Sequence, residues 1–572
     1  LFILHEIISV KALILSISGL VMEDWNIANT LTAVATRRPE RTGLIVPKGG
    51  GSRQWTFSDL HGITDAFAHR LVAAGIARGD RVVLMVRPSV EFICLTFALF
   101  KVGAVVVLID PGMGYRNLLR CIAQVRPVGF IGIPRAHIFR TLFPKPFVTV
   151  RTSICVGFSG GLFGRSLDVG AVFPAPSATA RKPFPVGHTA KDDPAAVLFT
   201  TGSTGPPKGV RYDHSVFFAQ LRLIRDYFGI TARDIDQPAF PLFGLFSTAL
   251  GACAVIPEMN PSQPARVNPA KFIRTIREHG VTYSFGSPAI WRVVSRYCLQ
   301  NNIKLNSLNK VLMAGAPVPG ELIRVTRAVL PAGAEIYTPY GATECLPVSS
   351  ITATEILSET WELTRQGKGT CVGRPIPGNQ IRIIPISERP VRRWREGMEL
   401  PAGETGEIVV KGPVATRCYE NNEPETDLAK IEDTDGFWHR MGDVGYVDEK
   451  NRLWFCGRRA HRVVARDRTY YTICCEAVVN EHPAVFRSAL VGIGEPGEQV
   501  PVIIIEPHKK HGSTAALLAE VRELAGCHPL TDSIEHFLVH PAFPVDIRHN
   551  AKIFREKLAR WAAGRIRSGG DS

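Results

Sequence analysis

Residues 200–209, TTGSTGPPKG, place three glycines, four hydroxyl side chains, two prolines and one lysine directly after the apolar run AAVLF. Small residues, hydroxyl donors and one ammonium are the ingredients of a phosphate-holding loop. A Walker A loop requires Gly-Lys followed by Ser or Thr at the opening of a helix. Here Lys208 is followed by Gly209 and Val210, so a phosphate loop of another kind is expected. Further short stretches follow in order: AGAP (314–317), YGATE (340–344), GETGEI (403–408), GFWHRMGDVGYVDEKNRLWFCGR (436–458) and DIRHNAKIFREKL (546–558). Taken singly each is weak. Glu344 alone reads as a loop acid, Asp443 as a turn residue and Lys552 as a surface lysine.

The elements that must position these residues alternate between strand and helix. Thr56 is an expected N-cap with Asp59 three residues on, and Leu60, Ile63, Phe67 and Leu71 mark one helical face that Gly75 stops. RVVLMV (81–86) reads as a strand. Residues 92–110, which Lys101 and Gly103 break as a membrane span, read as a buried helix feeding a buried strand. VTYSFGSP (281–288), KVLMAGAP (310–317) and AEIYTPYGATE (334–344) are short apolar strands ending in small or polar residues, where ligands gather in open α/β sheets. Helix-covered parallel sheets are expected there. Residues 155–193 read as a surface connection, and the basic RPVRRWREG (389–397) as a solvated loop. From about residue 380 the spacing is that of β-hairpins, and a smaller α+β segment follows GRRAHR (457–462).

Composition sets the outer limits. The chain has 572 residues, 45% hydrophobic and 21% charged, so two or more globular domains are expected. The net charge of +15 suits an anionic ligand, but the basic residues are scattered, without an aromatic-studded stripe or zinc-finger spacing; no nucleic-acid partner is expected. Twelve cysteines without a CxxC pair fit reduced thiols in a cytoplasm. Residues 1–21 make a poor signal peptide, and His5, Glu6 and Lys11 interrupt them as a membrane span. They read as an upstream extension with Met22 as the natural start, a membrane anchor being the rival; no stable span is expected.

The order of the six motifs resembles the adenylate-forming superfamily of acyl-CoA synthetases, luciferases and peptide-synthetase adenylation domains, over nearly the whole chain from Met22. The resemblance implies ATP and Mg²⁺ as cofactors and a carboxylate converted to an acyl-adenylate with release of pyrophosphate. It implies a large N-terminal domain (22–459) of helix-covered mixed sheets plus a β-rich subdomain. A smaller, mobile α+β domain (460–572) would swing about a hinge. Thr200, Thr201, Ser203 and Thr204 would donate hydroxyls to the β- and γ-phosphates, Gly202 and Gly205 would let backbone N–H groups close on them, and Lys208 would add charge. Glu344 resembles the magnesium carboxylate, and Thr343 would contact the α-phosphate. Tyr340 would stack near adenine beside Gly315 and Ala316, in the turn containing Gly341 and Ala342. Asp443 and Arg458 match the pair that holds the ribose hydroxyls. Lys552 occupies the catalytic-lysine position, neutralising charge between the carboxylate and the α-phosphate.

Acyl-CoA synthetases carry an aromatic-histidine element where this chain has FPLFGLF with Gly244, and Ala460 and Val464 replace usual hinge residues. YGATECLPVSS, RTYYTICCEAVVNEHP with Glu476, and PVDIRHNAKIFREKLARWA look most like the β-lactone synthetases of bacterial long-chain olefin biosynthesis. That resemblance implies a 2-alkyl-3-hydroxy fatty acid substrate whose own β-hydroxyl expels AMP. It also implies association with the other olefin-pathway enzymes, an α/β-hydrolase-fold enzyme and a reductase. A long-chain acyl-CoA synthetase or acyl-AMP ligase is the alternative. A non-catalytic nucleotide-binding scaffold is the third reading, against which the joint presence of Lys208, Glu344, Asp443, Arg458 and Lys552 speaks.

Overall fold

The computed structural model describes residues 24–48, 51–157, 165–167, 182–200, 205–509, 512–545 and 553–567. Residues 1–23, Thr201, Gly202, Ser203, Thr204 and Lys552 therefore lie outside the described residues.

A helix begins at Phe57 because Thr56 and Asp59 cap it reciprocally. It runs to Ala73 with Leu60, Ile63, Phe67 and Leu71 buried. The next helix, Val90–Val102, starts at Ser89 and stops at Gly103, whose φ of 78° a side chain would resist. Lys101 does not interrupt it. The ammonium is fully buried inside the helix, ion-paired with Asp65 and 3.3 Å from His61 Nε2. A charge so paired can stay inside an apolar layer that would reject it alone.

The strand Arg81–Met85 lies at the middle of a seven-stranded sheet formed by the described residues. Its neighbours Val105–Leu108 and Gly129–Gly132 run parallel to it, and Pro194–Thr200 runs parallel to Val105–Leu108. The edge strand Lys208–Asp213 returns antiparallel. Within the stretch expected to be connection only, Arg165–Leu167 forms a strand parallel to Thr152–Val156. An open sheet edge captured this short segment, which carries no apolar alternation to announce it.

The second large sheet changes character along its width. From Thr42–Lys48 through Cys253–Val255, Ile235–Asp236, Tyr283–Gly286 and Lys310–Met313 to Glu335–Ala342 the pairs are parallel. From Glu335–Ala342 onward, through Cys345–Thr352, Thr370–Pro375, Leu453–Arg458 and Gly436–Val447, they are antiparallel. The change falls at the YGATE turn. The basic loop 389–397 is not wholly solvated, because Trp394 stacks on Trp438 with centroids 4.6 Å apart. A large aromatic gains more from that burial than it loses in freedom.

A smaller C-terminal domain holds the three-stranded sheet of Val485–Ile493, Val500–Pro507 and His536–Val539, covered by helices. Glu476 is buried there, held by Arg555 at 2.6 and 3.0 Å and by the Leu490 amide at 2.8 Å. All twelve cysteines are free, and ten are buried.

Candidate active site

Lys208 opens the strand Lys208–Asp213. Thr200 lies opposite Lys208 in the antiparallel pair of Pro194–Thr200 and Lys208–Asp213, so the seven residues between them are closed at their base. This is a strand–loop–strand, where a Walker loop would open a helix. Lys208 Nζ is 2.5 Å from Glu425 Oε2 and 5.2 Å from the centroid of the Tyr419 ring. Gly205 is exposed at the loop's return.

The YGATE turn is held from three sides. Ala342 pairs with Cys345 across it, and a Cβ on Gly341 would come within 2.7 Å of the Cys345 carbonyl, so only glycine fits. The Tyr212 hydroxyl donates to the Thr343 carbonyl at 2.5 Å. The Thr416 amide and hydroxyl donate to the Glu344 carbonyl at 2.9 and 3.0 Å. On the side chain of Glu344, Oε1 accepts from Tyr419 at 2.8 Å, and Oε2 has no hydrogen bond among the described residues.

Beneath this carboxylate, Lys430 donates to the Thr416 carbonyl and, at 3.0 Å, to His439 Nδ1. Burial pulls the Lys430 ammonium down to about 8, against the attraction of Cys345 and Glu344. Burial, then the Lys430 charge, pushes His439 well below its ordinary value and keeps it neutral.

Asp443 and Arg458 belong to the antiparallel pair of Gly436–Val447 and Leu453–Arg458. Asp443 stands opposite Arg458, with Nη1 2.8 Å from Oδ1. Tyr340 donates to Oδ2 at 2.6 Å. Oδ1, although ion-paired, is buried and has no aligned hydrogen bond among the described residues. Burial raises Asp443 above its usual range, while Arg458 and Tyr340 pull it back. Gly315 and Ala316 follow the strand Lys310–Met313 at its carboxyl end, Gly315 at φ 97°.

Thr200, Lys208, Gly315, Tyr340, Glu344, Asp443 and Arg458 line one continuous cavity of about 2480 Å³, which extends past Phe243, stacked on Phe285 at 3.7 Å, into an apolar channel. Inside that channel lies a polar group that the sequence does not announce. Asp236, 1% exposed, shares a hydrogen bond with Ser247, which accepts one from Tyr283 at 3.1 Å. Burial raises Asp236 well above the carboxylate range. Its Oδ1 has no hydrogen bond among the described residues.

The structure therefore brings together Thr200, Gly205, Lys208, Gly315, Ala316, Tyr340 to Glu344, Asp443 and Arg458. It adds Tyr419, Glu425, Lys430 and His439, and no spacing pattern in the sequence marked these four.

The family profile described as AMP-binding enzyme matches residues 31–420. The chain belongs to that family. Two AMP-binding relatives are similar over almost their whole length. The olefin beta-lactone synthetase of Stenotrophomonas maltophilia is 43% identical, covering 95% of this chain and 98% of the relative. That of Xanthomonas campestris is 44% identical, covering 94% and 97%. Among solved structures, the amide bond synthetase of Marinactinospora thermotolerans aligns with a TM-score of 0.77 at 22% identity, covering 94% of this chain and 99% of that one. The Bacillus subtilis o-succinylbenzoate coenzyme A synthetase, in complex with ATP and magnesium ion, aligns with a TM-score of 0.72 at 22% identity, covering 93% and 99%. These two show that the AMP-binding fold is shared. The chain is an AMP-forming ligase of the adenylate-forming type.

Proposed function

We infer that the chain is an ATP-dependent olefin β-lactone synthetase. The observation that carries this reading is near-full-length similarity to two relatives of that name, at 43% and 44% identity. In the first step a carboxylate oxygen of a 2-alkyl-3-hydroxy fatty acid attacks the α-phosphorus of ATP, and the bond to pyrophosphate breaks. In the second, the β-hydroxyl oxygen attacks the acyl carbon, the hydroxyl proton is lost and the bond to AMP breaks. Nucleophile and electrophile belong to one molecule, and that proximity offsets part of the strain of a four-membered ring.

The residues have matching tasks. Asp443 Oδ1 accepts from a ribose hydroxyl, and Arg458 and Tyr340 hold the carboxylate in place for it. Lys208 exchanges Glu425 for the departing pyrophosphate, together with Thr200, Thr201, Gly202, Ser203, Thr204 and Gly205. Gly315, Ala316, Gly341, Ala342 and Thr343 border the adenine and the α-phosphate. Lys552 neutralises charge at the reacting carboxylate after residues 460–572 swing about Arg458.

Glu344 fits Mg²⁺ through Oε2, since that ion usually takes one or two carboxylates beside phosphate oxygens. Among the described residues no cluster of three or more potential ligands competes. When bound, the ion neutralises phosphate charge. Among the described residues no helix is long and apolar enough to cross a membrane. The reading places the enzyme in the cytoplasm, where free thiols persist, working with the hydrolase-fold enzyme and the reductase of the olefin pathway.

The test supplies ATP and Mg²⁺ with either a 2-alkyl-3-hydroxy fatty acid alone or a plain fatty acid plus CoA, and identifies products by NMR. Lactone and AMP without CoA are expected; a thioester from the plain acid overturns the reading. Lys552→Ala should cut acid-dependent ATP–pyrophosphate exchange by about a hundredfold or more.

A further inference from the structure

Between Asp110 and Asp168 the sequence has no acidic residue, and residues 111–151 alone contain seven Lys and Arg. The same segment holds five of the ten large apolar side chains that stand exposed among the described residues: Tyr115, Ile138, Leu142, Phe143 and Val148. Val148 is 80% exposed and Leu142 68%. They form one face. Tyr115, which opens the helix Tyr115–Val125, stacks on Phe143 at 6.0 Å, and Phe143 lies 5.0 Å from Phe139 of the helix Pro134–Leu142. Arg116 folds over the Tyr115 ring at 5.8 Å, and Arg120, Arg135 and Lys145 are exposed around it.

Scattered exposed apolar residues need no explanation, but a contiguous group rimmed by uncompensated cations does. Apolar side chains that enter the acyl boundary, with Lys and Arg at headgroup level, are the chemistry of a peripheral membrane contact. The face is also continuous with the active-site cavity. Arg135 and Phe139, on the same helix as Ile138 and Leu142, line that cavity.

We propose that this face docks the enzyme on an anionic lipid surface and opens its cavity toward the lipid. Charge selects the partner: a segment without a carboxylate is attracted to phosphate headgroups, and the exposed leucine and valine add apolar insertion. An acyl chain then reaches the cavity past Phe139 without crossing water. The contact goes beyond the lactone reading and does not depend on it, because docking needs no turnover.

The test is sedimentation of the full chain with vesicles of phosphatidylglycerol and phosphatidylethanolamine, against vesicles of phosphatidylcholine alone. Two double variants are compared with the parent: Leu142→Ser with Val148→Ser, and Arg116→Gln with Lys145→Gln. The parent should bind the anionic vesicles, and salt should weaken that binding. Each variant should bind about tenfold less, with vesicle-free ATP–pyrophosphate exchange unchanged. Absence of parent binding overturns the proposal. So does undiminished binding by both variants, which would assign it elsewhere, residues 1–23 included. So does loss of self-association in the variants without loss of lipid binding, which would make the face a protein contact.

Discussion

The Tyr340 hydroxyl donates to Asp443 Oδ2 at 2.6 Å, joining residues 103 positions apart. Tyr340 belongs to the turn where the second sheet changes from parallel to antiparallel, and Asp443 to a hairpin that packs beside it. The bond fixes one carboxylate oxygen, and Arg458, 2.8 Å from the other, balances the charge.

Removing the donor in Tyr340→Phe should raise the KM for ATP about tenfold, with a smaller change in kcat, because one hydrogen bond to a carboxylate is lost. Asp443→Asn should cost more, since it also leaves the Arg458 charge without its partner. Steady-state kinetics with ATP varied check both; an unchanged KM in Asp443→Asn would remove the pair from the nucleotide site.

Glu425 holds Lys208, and on the proposed reading phosphate would have to displace it. The pair is partly exposed, so Glu425→Gln should change stability by no more than about 1 kcal/mol. It should strengthen pyrophosphate inhibition by about threefold, as a cation freed from its partner meets the anion. Inhibition constants for parent and variant give the answer; weaker inhibition in Glu425→Gln contradicts it.

Lys430 predicts a pH signature. Burial lowers it from 10.5 to about 8, so it is charged below that pH and neutral above it. Adenylation should lose a high-pH limb near 8 when Lys430 is replaced by Met, because the titrating cation beneath Glu344 is gone. Stability moves the other way. Between about 8 and 10.5 the unfolded chain holds the proton that the folded chain has released, so the parent gains stability relative to Lys430→Met as pH rises through that window. Denaturation on either side of pH 8 measures the slope; a parent–variant difference that does not change with pH refutes the shift.

Burial raises Asp236 well above the ordinary carboxylate range and favours its protonated form, so its neutral isostere should serve nearly as well. Asp236→Asn should destabilise by less than about 1 kcal/mol, whereas Asp236→Ala, which strands Ser247 and leaves a void, should cost about 2–3 kcal/mol. Urea denaturation separates them. Equal losses would mean that a charged carboxylate is the native form.

The alternating strands, the helix capped by Thr56 and the order of the six motifs were legible because periodicity and capping are local. The buried helix and strand of residues 92–110 were legible as well, but what holds Lys101 inside that helix was not: its partner Asp65 lies 36 residues away on another helix, and no local pattern shows that a charge is paired. The strand Arg165–Leu167 escaped because a neighbouring sheet edge captured it. Trp394 escaped because its partner is Trp438 on another strand.

For the active site the same division holds. The sequence by itself determined that a glycine- and hydroxyl-rich stretch with Lys208 follows an apolar run, and that Glu344, Asp443, Arg458 and Lys552 fall in motifs whose order resembles that of adenylate-forming enzymes. Those are facts about residue type and spacing along one chain. Only the tertiary structure decided that Lys208 rests on Glu425, that Tyr419 holds Glu344, that Lys430 lies beneath it and that Tyr340 steadies Asp443. Each of these contacts is fixed by sheet register and by the packing of remote segments. Hydrogen bonds and ion pairs act over a few ångströms of space, whatever the distance along the chain.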